Sequence, residues 1–115
     1  MAYERGDVVL VPFPFTDLSN TRTRPAVVVS TLRFTEATGD LTVAMITSVP
    51  KTSPYDCEIR GWQETRLRQP SWVRAKLATL SPGLVRFSPG RLSVSDLAAV
   101  DRCLSEALGL NAVRE

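Results

Sequence analysis

The sequence contains no histidine. That absence removes His-paired nucleophiles, two-histidine acid–base sites and histidine-ligated zinc. Cysteine is almost as scarce. Cys57 and Cys103 stand far from any C-x-x-C spacing, and two thiols cannot make an all-thiolate zinc site, which needs four. They read as two small buried hydrophobes in a protein of the reducing cytoplasm. No apolar run approaches the ~20 residues of a membrane-spanning helix. The start, Met1 to Asp7, shows no basic segment leading into an apolar stretch, so no secretory signal is visible and no membrane partner is expected. If the chain is catalytic, arginine, lysine, carboxylates, hydroxyls and backbone amides must carry the work, with no metal or other cofactor.

What remains is an ordinary globular composition: 115 residues, 43% apolar and 23% charged, a length that fits one domain over residues 1–115. The net charge of +2 is unevenly spread. Residues 60–91 hold Arg60, Arg66, Arg68, Arg74, Lys76, Arg86 and Arg91 against Glu64 alone, +6 over 32 residues. A basic stretch on a near-neutral chain suggests a surface that faces a polyanion. Only two of the 14 basic residues are lysines, which favours forked recognition of phosphate.

Along the chain, Val8–Val11 reads as a short buried strand closed by Pro12 and Pro14. Residues 13–24 are polar and rich in turn formers and read as a long exposed loop. Pro25–Ser30 is a second strand, continuously apolar and therefore covered on both faces. Residues 31–40 form a connection with room for one helical turn, Leu41–Thr47 is a third strand, and 51–56 is a second loop. Cys57–Ile59 is a short strand before a linker over 61–70. Ser71–Lys76, prolonged to Leu80, alternates apolar and basic positions, which places Arg74 and Lys76 on one exposed face. Short strands at about ten-residue intervals point to a small barrel or sandwich. The period then changes. Val94, Leu97, Val100, Leu104 and Leu108 fall at helical spacing, with Ser93 and Asp96 as a capping-box-like start and Gly109 as the stop.

Cleaving RNA without histidine or metal requires donors for the negative charge that builds on the phosphoryl oxygens, and arginine, hydroxyls and amides can supply them. Two concentrated sets are present: Arg22 and Arg24 at the end of the first loop, and Thr47-Ser48 at the end of the third strand. Arg24 precedes Pro25, which pushes its backbone toward extended geometry. Taken singly, each set is also what an ordinary strand boundary looks like.

Gly6-Asp7-Val8-Val9, then Thr23-Arg24-Pro25-Ala26-Val27-Val28-Val29-Ser30, then Ala44-Met45-Ile46-Thr47-Ser48 resembles the MazF/PemK (Kid) toxin family, in order and approximate spacing. Ser71-Trp72-Val73-Arg74 with Lys76-Leu77-Ala78-Thr79-Leu80, and Gly90-Arg91-Leu92-Ser93 before the last helix, look like the PemK-like branch. The resemblance implies a mainly β (α+β) fold, a small SH3-like β-barrel of about five to seven short strands with a C-terminal amphipathic helix. It implies a homodimer that acts as a metal-independent, sequence-specific endoribonuclease toxin on single-stranded RNA, leaving 2′,3′-cyclic phosphate and 5′-hydroxyl ends. The implied protein partner is a small cognate antitoxin, acidic and partly disordered. Residue matching puts Arg24 in the place of the family's catalytic arginine, Thr47 in that of its hydroxyl, and Arg74 in that of a further site arginine.

Two departures stand out. No histidine is available for the first loop, and Lys76 stands where PemK-type members carry an aspartate proposed as proton acceptor. The general base is therefore unassigned, with Asp17, Glu64 or a water-linked oxygen as candidates. RNA contacts are expected from Arg22, Ser48, Lys51, Arg74 and Lys76, and Phe15 in the first loop could stack on a base. Trp62 and Trp72 read as interface or core residues. Two other readings stay open: a catalytically impaired RNA- or antitoxin-binding relative, and a CcdB-like gyrase poison, although the tail Leu110–Glu115 lacks the tryptophan that such poisoning uses.

Overall fold

The computed structural model describes residues 2–13 and 22–110, with the backbone alone at Phe13. Six strands, β1 (Asp7–Phe13), β2 (Arg22–Val28), β3 (Leu41–Thr47), β4 (Cys57–Ile59), β5 (Ser71–Leu80) and β6 (Phe87–Arg91), form one antiparallel sheet in the order β4-β5-β3-β2-β1-β6. Helix α1 (Leu32–Thr38) links β2 to β3, and α2 (Val94–Leu108) follows β6. The fold is mainly β with a C-terminal helix, as the resemblance implies.

The pleat sends alternate residues to two cores. Val8 and Val27 join Ala44, Ile46, Cys57, Ile59 and Val73 beneath Val100 and Leu104 of α2. Val9, Val11, Ala26 and Val28 join Leu41, Val43 and Met45 on the opposite face, covered by Tyr3, Ala78, Leu80 and Val85. Burial on both faces is why Ala26–Val28 of β2 and Val43–Ile46 of β3 are continuously apolar. Each fully buried Val, Leu or Ile contributes about 1.5–3 kcal/mol, offset largely by the conformational entropy lost on ordering the chain.

The sheet is curled rather than flat. Its edge strands β4 and β6 do not pair, yet the turn after β4 carries Thr65 against β6, where a Cβ at Gly90 would lie 3.1 Å from the Thr65 carbonyl oxygen. A side chain there would force the Thr65 backbone to give by a few tenths of an ångström. Asp96 holds the turn in place: its buried carboxylate accepts the backbone N–H groups of Arg60 (3.1 Å) and Gly61 (2.9 Å). Ser93 caps α2 by accepting from Asp96 N (3.1 Å), and Gly109 ends it in the left-handed region. At the other side of the helix, Arg5 pairs with both carboxylate oxygens of Asp101 and donates to the Val29 carbonyl, fastening the N-terminal segment to α2 and to the residue that follows β2.

Several sequence expectations change. Phe13 and Arg22–Arg24 belong to strands, not to a loop. Pro12 and Pro25 are tolerated because β1 pairs with β6 only from Asp7 to Leu10, and β2 with β3 only from Ala26 to Val28, so on those sides a missing N–H leaves no ladder bond unmade. The connection over 31–40 holds a seven-residue helix, capped by the Thr31 hydroxyl and by Gly39 at φ 81°. β6 is an additional strand.

The cysteines, remote in sequence, are neighbours in space. Cys57 is buried in the core beneath α2, Cys103 is half-buried against that core, and both are free thiols. Burial first, and the adjacent Cys103 second, push the Cys57 thiol up to about 12. Its reactive thiolate is therefore scarce at neutral pH. Mass spectrometry after iodoacetamide treatment should find Cys57 unmodified in the native protein and modified in denaturant; rapid native labelling would contradict the packing.

Candidate active site

β2 and β3 pair as Val28 with Val43, Val27 with Ala44 and Ala26 with Met45. Two residues beyond the last pair, on the same face, stand Arg24 and Thr47. The row continues on both sides, since Arg24 is opposite Val11 on β1, Thr47 opposite Trp72 on β5, and Trp72 opposite Glu58 on β4. Arg24 is half-buried within a strand, extended as its position before Pro25 requires, and exposed Arg22 follows on the same face. Both arginines are thus mounted on a strand rather than a loop, which gives a more rigid site.

Thr47 is half-buried, and its Oγ1 accepts the Val49 N–H (3.1 Å). The local bond fixes the oxygen and leaves its hydrogen to donate outward. Ser48 and Lys51 are exposed in the segment that follows. That segment, 48–56, must cross β5, because β3 and β4 lie on its two sides.

At the crossing β5 is bulged. Its pairing with β3 jumps from Ala44–Leu77 to Ile46–Val73, so Arg74, Ala75 and Lys76 face Met45 alone. The bulge breaks strict alternation. Arg74 and Lys76 do line one cavity of about 480 Å³, with Thr52, Ser53, Tyr55 and Asp56, but only Lys76 is exposed. Arg74 is half-buried, and its Nε lies 3.5 Å from Asp56 Oδ1. The other oxygen of Asp56 accepts from Thr52 N (3.0 Å) and Thr52 Oγ1 (3.1 Å). Burial pushes the Asp56 carboxyl upward, but the two Thr52 hydrogen bonds, the Arg74 charge and the Ser53 backbone together outweigh it, so it titrates below its ordinary value. A carboxyl so held is ionised at neutral pH and is a weak proton acceptor.

Sequence reasoning missed Asp56. The signal that finds it is the β4–β5 register: Cys57 pairs with Val73, so the residue before β4 meets Arg74. Glu64, a candidate base, is exposed in the turn after β4; Asp17 and Phe15 lie outside the described residues. Trp62 is half-buried against the core beneath α2, whereas Trp72 is half-buried in the row beside Thr47. The basic stretch is not one open patch, because Arg74 is paired with Asp56 and Arg91 with Asp7 (2.9 Å) and Glu4 (3.8 Å). Among the described residues, no group of three or more Cys, Asp and Glu could hold a metal ion, and no helix is long and apolar enough to cross a membrane.

The family profile described as PemK-like, MazF-like toxin of type II toxin–antitoxin systems matches residues 4–108. The chain belongs to this toxin family. The match takes in β1 through α2, so both the Arg24–Thr47 row and the Arg74–Asp56 pair lie inside the toxin domain. No curated protein sequence matches it. Among solved structures, an endoribonuclease from Mycobacterial species in complex with its cognate antitoxin is similar with a TM-score of 0.79 at 21% identity, covering 95% of this chain and 97% of the other. An endoribonuclease from Mycobacterial species gives 0.75 at 22%, covering 95% and 93%. MazF from Deinococcus radiodurans gives 0.75 at 23%, covering 95% and 98%. At such identities the likeness establishes the toxin fold.

Proposed function

We propose that this toxin-family chain is a sequence-specific, metal-independent endoribonuclease that cleaves single-stranded RNA. The observation that supports the reading is the β2–β3 register, which, extended two residues past its last pair, Ala26–Met45, brings Arg24 and Thr47 to one level on one face. In the reaction the 2′-oxygen attacks the adjacent phosphorus as its proton leaves to solvent. The bond to the 5′-oxygen breaks, that oxygen takes up a proton, and the products are a 2′,3′-cyclic phosphate and a 5′-hydroxyl. Arg24 clamps the phosphoryl oxygens and the Thr47 hydroxyl donates to the pentavalent phosphorus group, both acting where charge develops. Arg22, Ser48, Lys51, Arg74 and Lys76 hold the flanking strand, chiefly through its phosphates.

The toxin works as a homodimer in the cytoplasm and is neutralised by a small acidic antitoxin. Exposed apolar side chains such as Phe87 (60%) and Val94 (89%) offer surface for these contacts. Incubation of purified protein with unstructured RNA in EDTA, followed by end-group analysis, should yield the two ends named above. Strict dependence on added metal would refute the mechanism. RNA that is bound but left intact would instead favour the non-catalytic reading, which the presence of Lys76 in place of an aspartate keeps open.

A further inference from the structure

Arg74 stands in an unusual electrostatic setting for a residue meant to hold RNA. Its Nε faces Asp56 at 3.5 Å, and its Nη2 is buried without a hydrogen-bond partner among the described residues. Asp56 is almost wholly buried, at 5% exposure, and is anchored by the backbone N–H and hydroxyl of Thr52. A carboxylate beside an RNA-binding cavity repels phosphate, so its presence is not explained by affinity. Geometry explains it. A guanidinium is a planar fork, and a carboxylate 3.5 Å from its Nε restrains that edge while the exposed part of the fork is left to meet an anion. The Arg74 side chain is 28% exposed, so an incoming phosphate meets its open part rather than the covered Nη2.

We propose that Asp56 is a positioning residue for Arg74: it holds the guanidinium in the plane that receives an RNA phosphate, and it ties that plane to the crossover segment beginning at Thr47-Ser48. The proposal rests on the endoribonuclease reading and on the place of Arg74 in its site. It also gives the chain an acidic partner for Arg74 supplied from the start of β4, whereas position 76 on β5 is lysine.

The test is a double-mutant cycle of Asp56→Asn and Arg74→Lys, read by single-turnover cleavage and by equilibrium binding of a long unstructured RNA, with thermal unfolding of each variant. Asp56→Asn removes a negative charge, so electrostatics alone leaves RNA binding unchanged or tighter and cleavage undiminished. Positioning gives the opposite split: cleavage falls about ten- to a hundredfold with no loss of binding. In the Arg74→Lys background, whose ammonium has no fork to orient, Asp56→Asn should cost no more than about twofold further. Undiminished cleavage by Asp56→Asn, or an equal loss in both backgrounds, overturns the inference and leaves Asp56 a part of the fold. Full cleavage by Arg74→Lys alone overturns the assignment of Arg74 to the site, and the positioning role with it.

Discussion

Arg24→Ala is expected to lower RNA cleavage by about 10²- to 10³-fold, the cost typical of removing one preorganised donor from a developing oxyanion. The fold should survive, because Arg24 lies beyond the last bonded β2–β3 pair and outside both apolar cores. On the proposed mechanism, what the variant loses is a charged fork whose backbone is already committed to extended geometry by Pro25. Arg24→Lys separates charge from shape. It keeps the positive charge and phosphate affinity but loses the bidentate fork, so its rate should fall between those of wild type and alanine. Single-turnover cleavage of unstructured RNA, with circular dichroism and melting curves as controls, decides the matter. A folded alanine variant that cuts at the wild-type rate removes Arg24 from the chemistry.

The same residue shows how far the amino-acid order reaches. Arg24 and Thr47 were visible as candidates because each lies at a strand boundary next to a strong signal, Pro25 in one case and Ser48-Val49-Pro50 in the other. The level they share follows only from the β2–β3 register carried two residues past Ala26–Met45, which local pattern does not encode. β3, β4, β5 and α2 occupy the bounds read from the sequence, since their apolar periodicity ends abruptly at turn and cap residues. β6 was missed for the opposite reason: Phe87-Ser88-Pro89-Gly90-Arg91 is a largely exposed edge strand with no apolar alternation, and pairing with β1 makes it a strand. Helix α1 buries no residue, so only its caps at Thr31 and Gly39 announce it. Asp56 was invisible as a site residue because its importance arises from what β5 places opposite it. The Ser93–Asp96 capping motif was half legible. Ser93 Oγ does cap the helix, but the Asp96 carboxylate turns away from the expected reciprocal bond and serves the exit of β4 instead.

That diverted carboxylate makes Asp96 the side chain whose loss should cost the most stability among the polar groups described. Asp96→Ala strands the Arg60 and Gly61 N–H groups in a part-buried turn and removes an acidic group from the first turn of α2. Each partly buried donor left without an acceptor costs about 1–3 kcal/mol, and the helix-terminus charge adds about 0.3–1 kcal/mol. A total near 3 kcal/mol corresponds to a fall in Tm of roughly 10–15 °C for a domain of this size. Asp96→Asn keeps one carbonyl oxygen and should lose about half as much. The damage should also spread, because the same turn presses Thr65 against Gly90 and so joins the two edges of the curled sheet. Hydrogen exchange in Asp96→Ala should therefore accelerate at β4 and β6 together while the β2–β3 centre stays protected. Acceleration confined to α2 would mean that the carboxylate is only a helix cap. An unchanged melting temperature would mean that the turn stands without it.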